Sequence, residues 1–216
     1  AVQPANIRLR TSFVDDDMLE SIGALPGVED IQGARTLNLR LKTPGGEWTS
    51  IELHSQKDFS DARINQLALT EGRPGISKGE ILIERYKQDE SGAALGDMVA
   101  IEKPDGGLRA LEVTGIVSDQ TNGAFSGAGG FFLSPVQGYI HPDTLEWLGL
   151  PMPDWHDTVY LTVKGNGTDE AHIQEIADRV SHELEDRDVS ILSVSIRSSE
   201  DHPNSPYVNA ISGVLL

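Results

Sequence analysis

Polar and apolar residues alternate at the start of the chain. In NIRLRTSF, residues 6–13, Ile7 and Leu9 sit between polar neighbours and Phe13 keeps the parity, the pattern of a half-buried strand. The period then lengthens. Met18, Leu19, Ile22 and Leu25 share one helical face, Asp17 and Glu20 have capping-box spacing, and Gly23 and Pro26-Gly27 end the run. Alternation returns with Leu37, Leu39 and Leu41. Pro44-Gly45-Gly46 then turns the chain into a hairpin partner carrying Trp48, Ile51 and Leu53. The unit predicted is strand–helix–strand–strand.

The far end repeats this grammar. DTVYLTVKG, residues 157–165, alternates Val159, Leu161 and Val163. A helix follows, which Thr168 or Asp169 can cap, with Ile173, Ile176/Ala177, Val180 and Leu184 forming one apolar stripe. DVSILSVSIR supplies a closing strand. Two βαβ units at opposite ends predict an α+β fold with a split ferredoxin-like lobe, strands in one layer and both helices in the other. Its halves, residues 1–56 and 151–200, flank an insertion at 57–150. Short apolar runs there, at 67–69, 81–83, 98–101 and 111–117, are separated by EGRPG, SGAALGD and KPDGG, as in a compact β-rich lobe with tight turns. A short helix is expected over about 84–94 and another turn or two after Pro142, whereas the Gly- and Ser-rich residues 118–135 read as a long loop.

Charge narrows the function classes. Among 216 residues, 34 acids oppose 17 Lys and Arg, a formal charge of −17. Such a surface repels a phosphate backbone unless a basic stripe overrides it, and the densest basic stretch, Arg35 to Lys42, alternates with apolar residues as the outer face of a strand. Nucleic acid is therefore not an expected partner, and an anionic lipid surface is disfavoured too. With no cysteine there is neither a disulfide framework nor thiolate chemistry, and aromatics at 6% leave the core to aliphatic residues. No run reaches the ~20 apolar residues of a spanning helix. AVQPANIRLR has no charged-then-apolar leader. The chain nevertheless closes on the apolar NAISGVLL, either a last element tucked onto the core or the mouth of a membrane helix.

Chemical motifs fail one by one. A phosphate-binding loop needs G-x-x-x-x-G-K-[ST] before a helix. Counting from Gly72 puts Ser77 at the second glycine, followed by Lys78 and Gly79, and EILIE after it reads as a strand. HELED, residues 182–186, approaches the metalloprotease H-E-x-x-H but has Asp186 at the second ligand position. His172, Glu175, Arg179 and His182 are accounted for as a solvated helix face. The acids Asp15, Asp16 and Asp17 have sufficient reason to stand at a helix N-terminus, and calcium would want six to eight oxygens in a shaped loop. No G-x-S-x-G elbow occurs, and NGT at 166–168 reads as a turn with a helix cap.

Four segments do fit a known pattern. ALPGVEDIQGA (24–34), LTEGRPGISKGEILIE (69–84), LGDMVAI (95–101) and LEVTGIVSD (111–119) occur in this order. Together the set resembles the MacB-like periplasmic core domain of FtsX-superfamily ABC transporter permeases, over essentially the whole chain. The resemblance implies a porter-like α/β lobe interrupted by a β-rich, sabre-like lobe. It implies one membrane helix before Ala1 and another starting near Ile211, so that residues 201–216 lead into a helix. It further implies an extracytoplasmic location at a bacterial membrane, a second permease protomer, a cytoplasmic ATPase and an exported cargo. No catalytic, cofactor or metal site comes with the resemblance. The competing class is a freestanding extracellular binding module or hydrolase of the same split fold. Phe125, Phe131 and Phe132 either pin their loop to the β-rich lobe or form a cargo or partner contact; they are the candidate site residues.

Overall fold

The computed structural model describes residues 4–55, 59, 62–73, 75–119, 121, 134–150 and 154–200. Its first elements are β1 (Ile7–Val14), α1 (Asp16–Gly23), β2 (Val28–Lys42) and β3 (Trp48–Ser55). The middle holds β4 (Leu67–Gly72), β5 (Glu80–Glu84), α2 (Gln88–Ser91), β6 (Met98–Glu102), β7 (Leu108–Asp119), β8 (Val136–Ile140) and α3 (Pro142–Trp147). Last come β9 (His156–Val163), α4 (Glu170–Glu185) and β10 (Ile191–Ile196).

The terminal elements pair in the order β10-β1-β9-β2, all antiparallel, which is the ferredoxin-like arrangement of two βαβ units. One face is apolar. Ile7, Leu9, Val159, Leu161 and Val163 pack there against Ile22 of α1 and Ile173, Ile176, Ala177, Val180 and Leu184 of α4. Each buried Ile, Val or Leu contributes about 1.5–3 kcal/mol relative to exposure. Asp169 caps α4 by accepting from the amides of Ala171 and His172 at 3.0 and 3.3 Å. At α1 the cap is Asp15, not Asp17: its carboxylate accepts from the Met18 amide at 2.8 Å, and the helix begins one residue later. All three acids compete for that role, and the one whose backbone is still extended takes it.

The inserted residues build something else. β3 pairs with β8, β8 with β5, β5 with β7, β7 with β6, and the end of β6 returns to β2 at Leu41–Ile101. With the β2–β3 pairing, six strands thus form a closed ring, and β4 hangs outside on β7. Ile51, Leu53, Ile81, Ile83, Val99, Ile101, Leu111, Val113, Ile116, Val136 and Ile140 fill its interior. Mixed parallel and antiparallel pairing joins this barrel to the four-stranded sheet in one ten-stranded sheet.

The join is β2 itself. Its residues 28–34 pair with β9 and its residues 35–42 pair with β3. In consequence Leu41, Ile51 and Leu53, grouped by sequence with the α/β half, pack in the barrel core. Gly33 sits near the crossover because α1 leans on it: a Cβ there would stand 2.5 Å from Leu19 Cδ1 and 2.6 Å from His156 Cγ. β8 is the strand that the hydrophobic pattern does not predict. VQGYI alternates nothing, since all five residues are buried, and a Cβ on Gly138 would meet Ile81, Leu53 and Ile51 at 2.8, 2.9 and 3.0 Å.

Candidate functional site: a polar cleft at the sheet junction

Strand parity determines what faces the junction. With Ile7 and Leu9 turned to the helices, Arg8 and Arg10 project from the opposite face of β1. Arg8 lies opposite Tyr160 of β9, and Arg10 lies opposite Thr158. On β3, Leu53 points into the barrel, so Glu52 and His54 point out of it, across from Gln137 and Tyr139 of β8. Thr36 of β2, opposite His54, lies between the two sets. Where the open sheet meets the barrel wall, these polar side chains other than Tyr139 line a cleft of about 180 Å³, together with Ser134 and Pro135.

Hydrogen bonds fix the barrel side. The Gln137 amide nitrogen donates to the Pro135 carbonyl at 3.1 Å, which turns Gln137 Oε1 toward His54 Nε2 at 2.6 Å. This network assigns a proton to Nε2, which also faces Glu52 Oε1 at 3.2 Å. Burial by itself would lower the His54 pKa, but the hydrogen bond and charge of Glu52, then Gln137 and the more distant Asp119, carry it above the ordinary imidazole value. Glu52 moves the other way. The His54 hydrogen bond, opposed by burial and assisted by the charges of His54, Arg10 and Arg8, holds it below the usual carboxylate range.

The sheet side is less tied down. Arg10 makes no hydrogen bond or ion pair among the described residues, and neither does the Tyr160 hydroxyl. Burial, opposed by the charge of Arg8, pushes Tyr160 up to about 12, so it is a hydroxyl donor at any physiological pH. The adjacent carboxylate of Asp157 is already engaged, accepting from the Thr36 amide at 3.1 and 3.3 Å and from Thr158 Oγ1 at 2.9 Å.

A second polar group lies behind His54. Tyr139 stacks on the His54 ring at 5.2 Å and donates its hydroxyl to Asp119 Oδ2 at 2.9 Å. Asp119 Oδ1 accepts from the Thr121 amide and hydroxyl at 2.8 and 2.6 Å. Nearby, Glu84 is fully buried, and one of its oxygens accepts from the Tyr86 amide at 2.6 Å. Burial raises its pKa, against the amides that bond it and with the help of the Asp119 charge.

None of the described residues singled out as candidate chemistry by sequence lines the cleft. Phe125, Phe131 and Phe132 lie outside the described residues, as does the segment 201–216. Lys78 and Gly79 run directly into β5. His172 Nε2 meets the Lys164 carbonyl at 2.9 Å, and His182 Nδ1 meets the Asp178 carbonyl at 2.7 Å. Among the described residues no three His, Asp or Glu side chains gather as a metal would need, and no helix is long and apolar enough to cross a membrane. Sequence reading missed the cleft, although Arg8-Leu9-Arg10 and Glu52-Leu53-His54 carry its signal: charged residues flanking a buried leucine on a strand.

The fold, a ferredoxin-like sheet interrupted by a β-barrel, is that of the extracytoplasmic domains of MacB-like ABC transporter permeases. Among solved structures, the chain is similar to the periplasmic region of MacB from Actinobacillus actinomycetemcomitans, with a TM-score of 0.57 and 12% identity over 97% of this chain and 91% of that one. It is also similar to the extracellular domain of the noncanonic ABC-type transporter YknZ from Gram-positive bacteria, with a TM-score of 0.55 and 12% identity over 88% and 99%. A domain described as that of a permease protein from Porphyromonas gingivalis matches with a TM-score of 0.53 and 13% identity over 91% and 93%. At such identities the likeness is one of fold. In sequence, no protein-family model and no curated protein matches this chain.

Proposed function

We propose that the chain is the non-catalytic extracytoplasmic domain of an ABC transporter permease. In this reading it passes conformational change, driven by a cytoplasmic ATPase, between membrane helices and whatever the transporter exports. The observation that supports it best is the fold likeness above, which spans 88–97% of the chain and nearly all of each neighbour domain. The ferredoxin-like part, residues 1–56 and 151–200, would form the lobe on the membrane helices. The part between them, 57–150, would reach outward to cargo or to a second protomer, with Phe125, Phe131 and Phe132 as its contact residues.

The coding sequence on either side provides the test. About twenty consecutive apolar residues before Ala1 and again after Leu216 would place the domain between two membrane helices. Polar sequence or a stop on both sides would overturn the reading in favour of a freestanding module. The same reading expects the chain to lack nucleotide binding, so saturating ATP should leave its melting temperature unchanged.

A further inference from the structure

Independently of that role, the cleft at the sheet junction has a net positive lining in a chain of net negative charge. The chain carries −17 overall, yet two arginines, Arg8 and Arg10, line the cleft with Glu52 as its one carboxylate. Glu52 is held by His54, and the neighbouring Asp157 by Thr36 and Thr158. Arg10 and the Tyr160 hydroxyl are left as donors with no acceptor among the described residues. They are diagonal neighbours across the β1–β9 ladder, close enough for one ligand group to meet both.

From this geometry we infer that the cleft binds an oxyanion, a carboxylate or a phosphoryl group at the end of a larger ligand, held by Arg10 and Tyr160 with Arg8 supplying further positive charge. Size supports an end group rather than a whole molecule. About 180 Å³ exceeds the ~150 Å³ that accommodates a benzene-sized guest, but falls short of the roughly 300–1,000 Å³ of pockets that enclose drug-sized ligands. Chemistry excludes the alternatives: a cation would be repelled by the guanidinium groups, and a neutral polyol would leave Arg10 without a charged hydrogen-bond acceptor. Guanidinium–oxyanion hydrogen bonds are charge-assisted and about twice as strong as neutral ones, and a partly enclosed site screens them less than open water does. The position also matters, because the ligand would touch the open sheet through β1 and β9 and stand against the barrel wall formed by β3 and β8.

The test is amide-resolved NMR titration of the 216-residue chain with inorganic phosphate and, separately, with succinate. The expected result is a saturable set of shifts centred on β1, β9 and the β3–β8 pair for at least one probe. In the responding titration, Arg10→Gln should weaken binding by about tenfold and Tyr160→Phe by about threefold. Arg40→Gln, at an exposed arginine paired with Glu102 on the barrel, should leave it unchanged. A tighter response to succinate assigns a carboxylate source, a tighter response to phosphate assigns a phosphoryl source, and equal responses assign the shared oxyanion. No response to either probe at about 100 mM, shifts centred elsewhere, or full affinity in both Arg10→Gln and Tyr160→Phe would overturn the inference. Because Tyr160→Phe removes a single oxygen, it tests the site even if Arg10→Gln fails to fold.

Discussion

The two ends of β2 show two ways of burying a sheet. Toward its N-terminus the strand lies in an open antiparallel sheet, where α1 and α4 cover one face and the other carries Arg8, Arg10, Tyr160 and Gln32. Toward its C-terminus the same strand is part of a closed ring, where strands cover one another and the α-helices among the described residues are short pieces at 88–91 and 142–147. An open sheet keeps a free polar face and two edges, whereas a ring has an inside and an outside but abolishes its own edges. A polar cleft arises where these solutions abut, because the free face of one meets the outer wall of the other.

A shared strand predicts that the two cores melt together. Leu53→Ala empties a site in the barrel and Leu161→Ala one in the open sheet, both from fully buried positions. Each should cost about 2–5 kcal/mol and shift one common calorimetric transition. Two separated transitions, each moved by only one of the substitutions, would break the picture of a coupled pair.

The junction itself is probed by Gly33→Val. The added methyls would strike Leu19 and the His156 ring, whose Nε2 is tied to Asp16 at 2.9 Å, so relaxation is restricted. A loss of about 1–3 kcal/mol in denaturant unfolding is expected. A smaller effect confined to one region follows from Asp169→Ala. Removing the α4 cap should cost about 1 kcal/mol and speed amide exchange in the helix more than in the barrel strands, since the amides it holds, those of Ala171 and His172, belong to the helix itself.

The weakest and most selective effect is electrostatic and belongs to the barrel's outer wall. Folding raises the pKa of Glu84, so its contribution to stability is present below the unfolded-state pKa and is lost as pH rises through the folded value. Glu84→Gln keeps an acceptor for the Tyr86 amide but cannot ionise. Its melting temperature relative to wild type should therefore be higher at about pH 7 than at about pH 4. Glu52 has the opposite sign: its contribution is present above the unfolded-state pKa and fades as pH falls through the depressed folded value. Thermal melts of Glu52→Gln should therefore lose ground to wild type at neutral pH and recover it in acid.

Much of this architecture was legible in the alternation of residues. The stripe Ile173, Ile176, Ala177, Val180 and Leu184 is buried residue for residue, and Leu37, Leu39 and Leu41 do share one side of a strand. What escaped the pattern has physical causes. β8 is covered on both faces and centred on a glycine that three neighbouring side chains demand, so nothing in VQGYI alternates. The closing of the ring rests on two residue pairs between β2 and β6, separated by about sixty residues and carrying no local signature. The cleft was half legible: which face Arg8, Arg10, Glu52 and His54 take follows from parity, but that these faces meet depends on strands more than a hundred residues apart.

β2 also has a mechanical meaning. At about 3.3 Å per residue its fifteen residues run roughly 50 Å along the backbone, hydrogen-bonded first to β9 and then to β3. A pull along that strand loads both ladders in shear, so many hydrogen bonds must fail at once. A pull across it would peel them one at a time. The two ladders on β2 therefore resist a pull along the strand more than a pull across it.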